Sequence, residues 1–246
     1  MNKQKVIFKD LGIIDYKSAW DYQEDLVNKN RVIKSEIRNL TPESLTPDST
    51  RNHNSQLTTT NHLLFCEHSA VYTLGKSGSM NNILVNEKEL EKKEIDFFKT
   101  NRGGDITFHG LEQIVGYPIL DLENFYTDIG KYLRELEEVI ITTIAEYDLD
   151  GQRSKGETGV WLEPGVPGKE RKICAMGIRC SRWITMHGFA LNVNTDLSYF
   201  ENIIPCGIQG KQVTSMEKEL KQKIDLEEVK EKLKKNFAEI FNVDII

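Results

Sequence analysis

The stretch ETGVWLEPGVPGKERKICAMGIR, residues 157–179, decides the fold class of this chain. Two strand-forming runs, ETGVWLE and RKICAMGIR, flank a loop rich in proline and glycine, PGVPGKE. Such runs separated by turn residues are typical of a β-hairpin. The following segment, WITMHGFALNVN, continues the same sheet. We therefore expect consecutive strands that pair in a largely antiparallel sheet.

Strands and helices are mixed along the rest of the chain. KVIFKDLG predicts a first strand, and Asp15 is placed to cap a helix whose apolar face is Ala19, Tyr22, Leu26 and Val27. Further strands are predicted in HLLFCEH, AVYTLG, DFFKT and, behind a glycine turn, twice in RGGDITFHGLEQIVGYPILDL. The strands do not alternate strictly with helices, which argues against a doubly wound nucleotide fold. The pattern predicts a mixed α/β fold with sheets flanked by helices.

The remaining helices carry amphipathic or capping patterns. Residues 128–147 form an apolar stripe with helical spacing, and EKELEKKEI is a short helix. Thr214 with Glu217, and Asp225 with Glu228, have the spacing of capping boxes before two final helices.

Length and composition favour a single domain. The 246 residues are 39% hydrophobic and 28% charged, which is ordinary for a soluble globular protein. We expect one domain over 1–246 with a catalytic core at about 58–222. Residues 35–61, rich in Thr, Ser, Asn and Pro, are expected to be a surface insert, and 223–246 a C-terminal helix.

Charge and cysteine content narrow the possible functions. The formal net charge of −6 argues against a nucleic-acid partner. No apolar run is long enough to span a membrane, and the N-terminus has no apolar leader, so a cytoplasmic protein is expected. Four scattered cysteines do not suggest a disulfide framework, which leaves a thiol available for chemistry.

Basic residues are concentrated in one part of the chain. Seven fall within thirty positions: Arg153, Lys155, Lys169, Arg171, Lys172, Arg179 and Arg182. Solvated surface charge and a docking patch for an acidic partner are both compatible with this cluster.

The motif IIPCGI, residues 203–208, holds Cys206 between a proline and a glycine. Such a turn suits a thiol at the mouth of a site, but a thiol needs activation to act as a nucleophile. Candidate partners are His109, His187 and a lysine. Lys172 opens an otherwise apolar strand, where desolvation favours the neutral amine, although a strand-end lysine that simply reaches solvent is the alternative.

Two other motifs permit more than one interpretation. The paired glycines of RGGDITFHG, residues 102–110, suit either a plain tight turn or a close approach of a ligand to the backbone. His62, Cys66 and His68 share one strand face, but no second cluster has ligand spacing, so packing and hydrogen bonding are favoured over zinc. No metal is expected.

Taken in order, the motifs of this chain resemble those of the lipoyl(octanoyl) transferases. The resemblance covers roughly residues 62–220. It runs through EHSAVYTLGKSG, RGGDITFHG, QIVGYPILDL, TGVWLE, KICAMGIR, HGFALNVN, FENIIPCGI and VTSMEKEL. It implies the α/β fold of the biotin and lipoate protein ligases and a catalytic pair of Cys206 and Lys172. The implied acyl pocket consists of Arg102, Gly103, Gly104, Asp105, Ile106, Thr107, Phe108, His109, Ala175, Met176, Gly177, Gly188, Phe189 and Ala190.

The resemblance also implies the reaction. Octanoyl would pass from acyl carrier protein to Cys206 and then to a lysine of an apo lipoyl domain, in a dehydrogenase E2 subunit or the glycine-cleavage H protein. No cofactor is required, and a monomer is expected. One departure concerns the family's His-Gly-Pro-Gly-Gln, which is here His109-Gly110-Leu111-Glu112-Gln113.

Three other functions are considered. An ATP-dependent lipoate or biotin ligase would carry a longer arginine–glycine turn and would not need the cysteine. An amidotransferase would take octanoyl from a lipoylated-type protein. A non-catalytic lipoyl-domain or carrier binder would not need both Cys206 and Lys172.

Overall fold

The structure, a computed structural model, describes residues 3–39, 57–204 and 212–246. Its strands are β1 (Gln4–Ile13), β2 (Asn61–Glu67), β3 (Val71–Leu74), β4 (Asp96–Lys99), β5 (Ile106–His109), β6 (Gln113–Ile119), β7 (Gly151–Gln152), β8 (Val160–Leu162), β9 (Arg171–Ser181), β10 (Ile184–Asn192), β11 (Gln212–Val213) and β12 (Val243–Ile245). Its α-helices are α1 (Tyr16–Asn39), α2 (Glu87–Lys92), α3 (Ile129–Ala145), α4 (Met216–Leu220) and α5 (Leu226–Ile240). None of these helices is long and apolar enough to cross a membrane.

Most strands of the described residues join one sheet. Its order is β12-β1-β2-β6-β10-β9-β8-β7, and β11 adds to β9. From β2 to β7 each neighbouring pair is antiparallel, as the hairpin pattern predicts. The pairs of β1 with β2 and β12, and of β11 with β9, are parallel. The predicted mixed α/β fold is confirmed.

Each face of this sheet is covered by different elements because strand side chains alternate. Leu63 and Phe65 of β2 pack on one face in the cluster that contains residues of α3 and α5. Leu64 and Cys66 point to the other face and pack with α1. The helix α1 begins where predicted, since Asp15 accepts a hydrogen bond from the Ser18 N–H at 2.8 Å.

A smaller sheet of order β4-β3-β5 lies beside the main one. Its own apolar cluster includes Tyr72, Ile106 and Phe108, with Ile203 from the segment that precedes the IIPCGI cysteine. Backbone hydrogen bonds join this unit to the main sheet, among them Gly103 N–H to the Ile178 carbonyl of β9 at 2.8 Å. A cavity lies in the cleft between the two sheets.

The predicted bounds of the insert were too wide. Helix α1 continues to Asn39, and β2 begins at Asn61, so residues 35–39 and 61 belong to regular structure. The Lys34 ammonium is buried against Asp121 at 2.6 Å, which holds the end of α1 on the protein. Residues 35–39 are all exposed and therefore show no apolar stripe. Residues 57–60 are described without helix or strand, and residues 40–56 of the insert lie outside the described residues.

Two predictions near the C-terminus need correction. Ser215, and not Thr214, caps α4, because the Ser215 side chain accepts the Lys218 N–H, whereas the Thr214 hydroxyl donates to Glu219 at 2.5 Å. Asp225 caps α5 as predicted. The final segment is not helical throughout: after α5 the chain forms β12, which pairs in parallel with β1.

Candidate active site

A cavity of about 410 Å³ opens between the two sheets. Its floor is a set of small and apolar side chains on adjacent strands of the main sheet. Ala190 of β10 lies opposite Val115 of β6 and Ala175 of β9. Gly188 and Gly177 form the next row toward α1. Such a narrow apolar slot suits an unbranched acyl chain.

The arginine–glycine turn forms one wall of the cavity. A Cβ on Gly177 would lie 2.7 Å from the Gly103 carbonyl oxygen, so only glycine lets the turn approach β9 this closely. Gly104 has a φ of +83°, a conformation that glycine adopts without strain. The adjacent glycines therefore serve close packing and a turn.

Behind the turn, Arg102 and His109 share a buried hydrogen-bond network. The Arg102 Nη2 donates to the Thr73 carbonyl at 2.6 Å and to its hydroxyl at 2.9 Å. His109 Nδ1 lies 2.9 Å from Gln113 Oε1, and Nε2 lies 3.3 Å from the Thr73 hydroxyl. These partners fit an Nδ1–H tautomer. Burial holds the pKa of His109 well below its usual range, so the ring is neutral at pH 7.

His187, a second candidate partner, has an unusual backbone. It lies within β10 with a φ of +59°, and Gln23 of α1 accepts its N–H at 3.0 Å. Its Nε2 is 2.7 Å from Asn101 Oδ1. Burial lowers the pKa of His187 to about 3, which makes it a neutral structural contact. Neither histidine is therefore suited to hold a positive charge near neutrality.

Lys172 also lines the cavity. Its side chain is only 8% exposed, so the alternative of a lysine that simply reaches solvent is excluded. Its Nζ lies 4.5 Å from the centre of the Trp161 ring, a cation–π distance. The Lys172 side chain is therefore buried at the border of the cavity.

Cys206 lies outside the described residues, as do its neighbours from 205 to 211. The chain on both sides of this segment reaches the cavity. Phe200 on one side and Val213 on the other line it. Val213 also pairs directly with Lys172.

The three described cysteines are unsuited to nucleophilic chemistry. Burial raises the pKa of the Cys66, Cys174 and Cys180 thiols. Within β2, Cys66 Sγ lies 3.5 Å from His68 Nε2, which also contacts the Tyr117 hydroxyl at 2.8 Å. His62 contacts Thr60 instead, at 3.0 Å. These contacts match the expected packing and hydrogen bonding.

The structure gathers most of the predicted acyl-pocket residues around one cavity. Those that line it are Arg102, Gly103, Gly104, Asp105, Ile106, Thr107, His109, Ala175, Met176, Gly177, Gly188, Phe189 and Ala190. Phe108 is the exception, because side chains alternate along β5 and its ring points away from the cavity, into the apolar cluster of the small sheet. There it stacks on Tyr199 with ring centres 4.5 Å apart.

Several lining residues were missed from the sequence. Tyr16 comes from α1, and Val115 and Tyr117 come from β6. Val115 and Tyr117 follow Gln113 with the strand period of two, which is a usable signal. Nothing in the local sequence places Tyr16 against the cavity, because that contact depends on how α1 packs.

The basic cluster is largely neutralised within the protein. Arg153 pairs with Glu137 and Glu138, and Arg179 pairs with Glu24. Three further carboxylate contacts involve the hairpin: Arg171 with Glu163, Arg171 with Glu219, and Lys169 with Glu163. These ion pairs therefore argue against the basic cluster as an open docking patch for an acidic partner, at least for Arg153, Lys169, Arg171 and Arg179.

The loop that departs from the resembled motif is held by its glutamate. Glu112 has a φ of +61°, where glycine would be unstrained. Its carboxylate contacts Asn194 at 2.6 Å and Lys223 at 2.8 Å. Its N–H donates to Glu67 at 2.7 Å. The side-chain contacts thus keep the glycine-like turn without a glycine.

Comparison with known proteins shows which family this chain resembles over most of its length. The lipoyl protein ligase A/B catalytic domain profile matches residues 15–238. An octanoyltransferase of Christiangramia forsetii is 58% identical over 246 residues, covering 100% of this chain and 99% of that protein. An octanoyltransferase of Flavobacterium johnsoniae is 58% identical over 247 residues and covers 100% of both chains.

Solved structures share the fold at low identity. A bipartite lipoate protein ligase from the lipoylation system of Thermoplasma acidophilum has a TM-score of 0.65 at 15% identity, covering 100% of this chain and 86% of that one. A lipoate-protein ligase A bound with ATP has a TM-score of 0.63 at 14% identity, with 100% and 90% covered.

The chain belongs to the lipoyl protein ligase A/B catalytic domain family. Its full-length similarity to octanoyltransferases further defines it as an enzyme of the acyltransferase class.

Proposed function

We propose that this protein transfers octanoyl from octanoyl-acyl carrier protein to the target lysine of apo lipoyl domains through a thioester on Cys206. The acceptors are dehydrogenase E2 subunits and the glycine-cleavage H protein. The observation that carries the proposal is the buried Lys172 amine beside an apolar slot, on a chain similar over its full length to octanoyltransferases. We further propose that the protein acts as a cytoplasmic monomer of one domain, without a cofactor.

Two observations support Cys206 as the nucleophile. The other cysteines have raised pKa values because they are buried, which leaves Cys206 as the remaining thiol of the chain. The segment that carries Cys206 is joined at both ends to residues that line the cavity, Phe200 and Val213. Val213, which follows this segment in the chain, pairs with Lys172.

The first half-reaction exchanges one thioester for another. The Lys172 amine accepts the Cys206 thiol proton, and the thiolate attacks the octanoyl carbonyl. The C–S bond to the carrier's phosphopantetheine then breaks, and its sulfur leaves with the proton held by Lys172. The octanoyl chain lies over the floor of Val115, Ala175 and Ala190. The bonds formed and broken are of one type, so the step is close to isoenergetic.

The second half-reaction forms an amide. The neutral amine of the lipoyl lysine attacks the Cys206 thioester, and the C–S bond breaks. Lys172 accepts the amine proton and passes it to the leaving Cys206 thiolate, which regenerates the thiol. Amide formation from a thioester is downhill, so no nucleotide is consumed. An ATP-dependent ligase would instead activate a free acid as an acyl-adenylate.

A direct test uses purified full-length protein, octanoyl-acyl carrier protein and an apo lipoyl domain, without nucleotide. We expect octanoylation of the domain's lysine, detected as a mass increase that resists neutral hydroxylamine. A requirement for ATP and free octanoate would instead identify a ligase. Transfer from an octanoylated lipoyl domain, with none from acyl carrier protein, would identify an amidotransferase.

A further inference from the structure

We propose that Asn192 is a positioning residue for Lys172, because its side-chain amide fixes β11, the strand that flanks Lys172 in the sheet. This inference rests on the proposed octanoyl transfer, in which Lys172 is the base, and it names the residue that holds that base in place. Asn192 is the last residue of β10, is 3% exposed and lines the cavity.

At the end of β10 a different strand takes its place beside β9. Strand β10 pairs with β9 as far as Leu191 and Cys174. Strand β11 then pairs with β9 at Arg171 and Lys172. Since β8 occupies the other edge of β9 at these two residues, β11 continues the edge that β10 leaves. Strand β11 is two residues long, so its position depends on contacts beyond its own ladder.

The Asn192 amide supplies such a contact. Its Nδ2 donates to the Thr214 carbonyl at 2.9 Å. The Thr214 N–H in turn donates to the Lys172 carbonyl at 2.9 Å. Thr214 is 0% exposed, so water does not replace a lost partner there. The end of β10 is therefore fastened, through Thr214, to the backbone of Lys172.

The direction of the Asn192 amide is set by a chain of hydrogen bonds that starts at Arg102. A guanidinium donates and does not accept, so the Thr73 hydroxyl accepts from Arg102 and donates its own proton to His109 Nε2. The His109 Nδ1–H donates to Gln113 Oε1 at 2.9 Å. The Gln113 Nε2 donates to Asn192 Oδ1 at 2.8 Å, across paired strands. Asn192 therefore presents its amino group, and not its oxygen, to β11.

Burial makes this direction matter. None of the side chains from Arg102 to Asn192 in this hydrogen-bond chain is more than 7% exposed. In such an interior a reversed Asn192 amide would bring its oxygen against the Thr214 carbonyl and leave both without a donor. The arginine–glycine wall of the cavity and the strand beside Lys172 are thus linked by one continuous set of polar contacts.

The test compares Asn192→Ala in the wild type and in Lys172→Met. The rate of octanoyl-enzyme formation at saturating octanoyl-acyl carrier protein is followed by mass spectrometry. We expect Asn192→Ala to lower this rate about 5- to 10-fold in the wild type, as for loss of one buried hydrogen bond. In Lys172→Met the same change should alter the rate by less than about twofold, because the base that Asn192 positions is already gone. An equal loss in both backgrounds would indicate direct substrate contact or general damage, and would overturn the inference.

Hydrogen exchange gives a readout that does not depend on activity. In Asn192→Ala the Thr214 amide should exchange about 5-fold faster or more, measured by NMR. Asn194→Ala is the matched control, because the Asn194 amide holds the Ile224 carbonyl at 2.8 Å and not β11. It should leave both the Thr214 exchange rate and the acylation rate within about twofold of the wild type. Unchanged exchange of the Thr214 amide in Asn192→Ala would overturn the inference.

Gln113→Met tests the same contact from the other side, and it serves if Asn192→Ala does not fold. Methionine has a similar length but lacks the Nε2 donor that orients Asn192. The Thr214 amide should again exchange faster, and an unchanged rate would contradict the directional chain. If the wild type forms no octanoyl-enzyme, the proposed function is refuted, and the role of Asn192 toward Lys172 with it. The exchange rates would still show whether Asn192 holds β11.

Discussion

Lys172 and Trp161 are direct cross-strand partners, and the lysine Nζ lies 4.5 Å from the centre of the tryptophan ring. Trp161 is 1% exposed, so its ring cannot move away from this position without disturbing the core. The strand pairing and the ring face together restrict the lysine amine to the edge of the cavity. A base held in this way needs little reorganisation before proton transfer.

Replacing Lys172 with methionine should slow acylation of Cys206 without removing the nucleophile. We expect a loss of about 10²–10⁴-fold near neutral pH, since a positioned proton acceptor contributes that much. Raising the pH should partly restore the rate, because an unassisted thiol ionises there. The rate is followed by mass spectrometry of the enzyme mixed with octanoyl-acyl carrier protein alone. Lys169→Met, an exposed site in the same hairpin, should acylate normally. Equal rates for both variants would remove Lys172 from the mechanism.

The floor of the cavity predicts a change in acyl-chain preference. Ala175→Leu adds bulk to the row that Ala175 shares with Ala190 and Val115. Each excluded methylene forfeits about 0.8 kcal/mol, so exclusion of two should lower the octanoyl-to-butyryl ratio of kcat/KM about tenfold or more. Competition between the two acyl-carrier thioesters measures this ratio. Ala145→Leu, on the exposed end of α3, is the control. If both variants show the same octanoyl-to-butyryl ratio, the octanoyl chain does not lie over Ala175.

His187 predicts how stability depends on pH. Its pKa is about 3 in the folded protein, against an ordinary value of 6.5. Between these values the unfolded chain binds a proton that the folded protein does not, so stability falls as the pH is lowered below 6.5. His187→Asn should reduce the slope of unfolding free energy against pH in this window by about 1.4 kcal/mol per pH unit.

Urea unfolding at a series of pH values between these limits measures that slope. Asn101→Ala is the matched control, because it removes the partner of the ring but keeps the titrating group. It should lower stability while preserving the slope. A wild-type slope in His187→Asn would show that the ring does not control this dependence.

Glu112 allows a test of backbone strain. At a φ of +61°, alanine retains the strain of the left-handed region, whereas glycine does not. Glu112→Ala and Glu112→Gly lose the same contacts with Asn194 and Lys223. We therefore expect the glycine variant to be the more stable by about 1 kcal/mol in urea unfolding, despite its greater freedom when unfolded. Greater stability of the alanine variant would contradict this account.

The sequence predicted the strands well because their signals are local. The hairpin from 157 to 179 and the Asp15 cap follow from turn residues and side-chain chemistry, and both are present. The end of α1 was missed because its last turn is entirely exposed, and its position depends on the Lys34–Asp121 contact from a distant segment.

Much of the site could not be derived in this way. Motif resemblance placed His109 beside the cavity, but it also included Phe108, which the pleat turns away. The left-handed conformation of His187 depends on Gln23 and Asn101 from other elements. The neutralisation of Arg153 and Arg171 likewise depends on carboxylates that only folding brings near.

The pairing of β12 with β1 has a consequence for how the protein acquires its structure. Gln4 lies opposite Val243, and Lys230 of α5 contacts Asp10 of β1 at 2.9 Å. These contacts join segments more than 200 residues apart, so during synthesis the β12 edge of β1 stays unpaired until residues 243–245 have left the ribosome. Contacts between such distant segments are slow to form because closing a long loop costs entropy. This edge of β1 is therefore among the last backbone surfaces to be covered, and until then it is open to pairing with another strand.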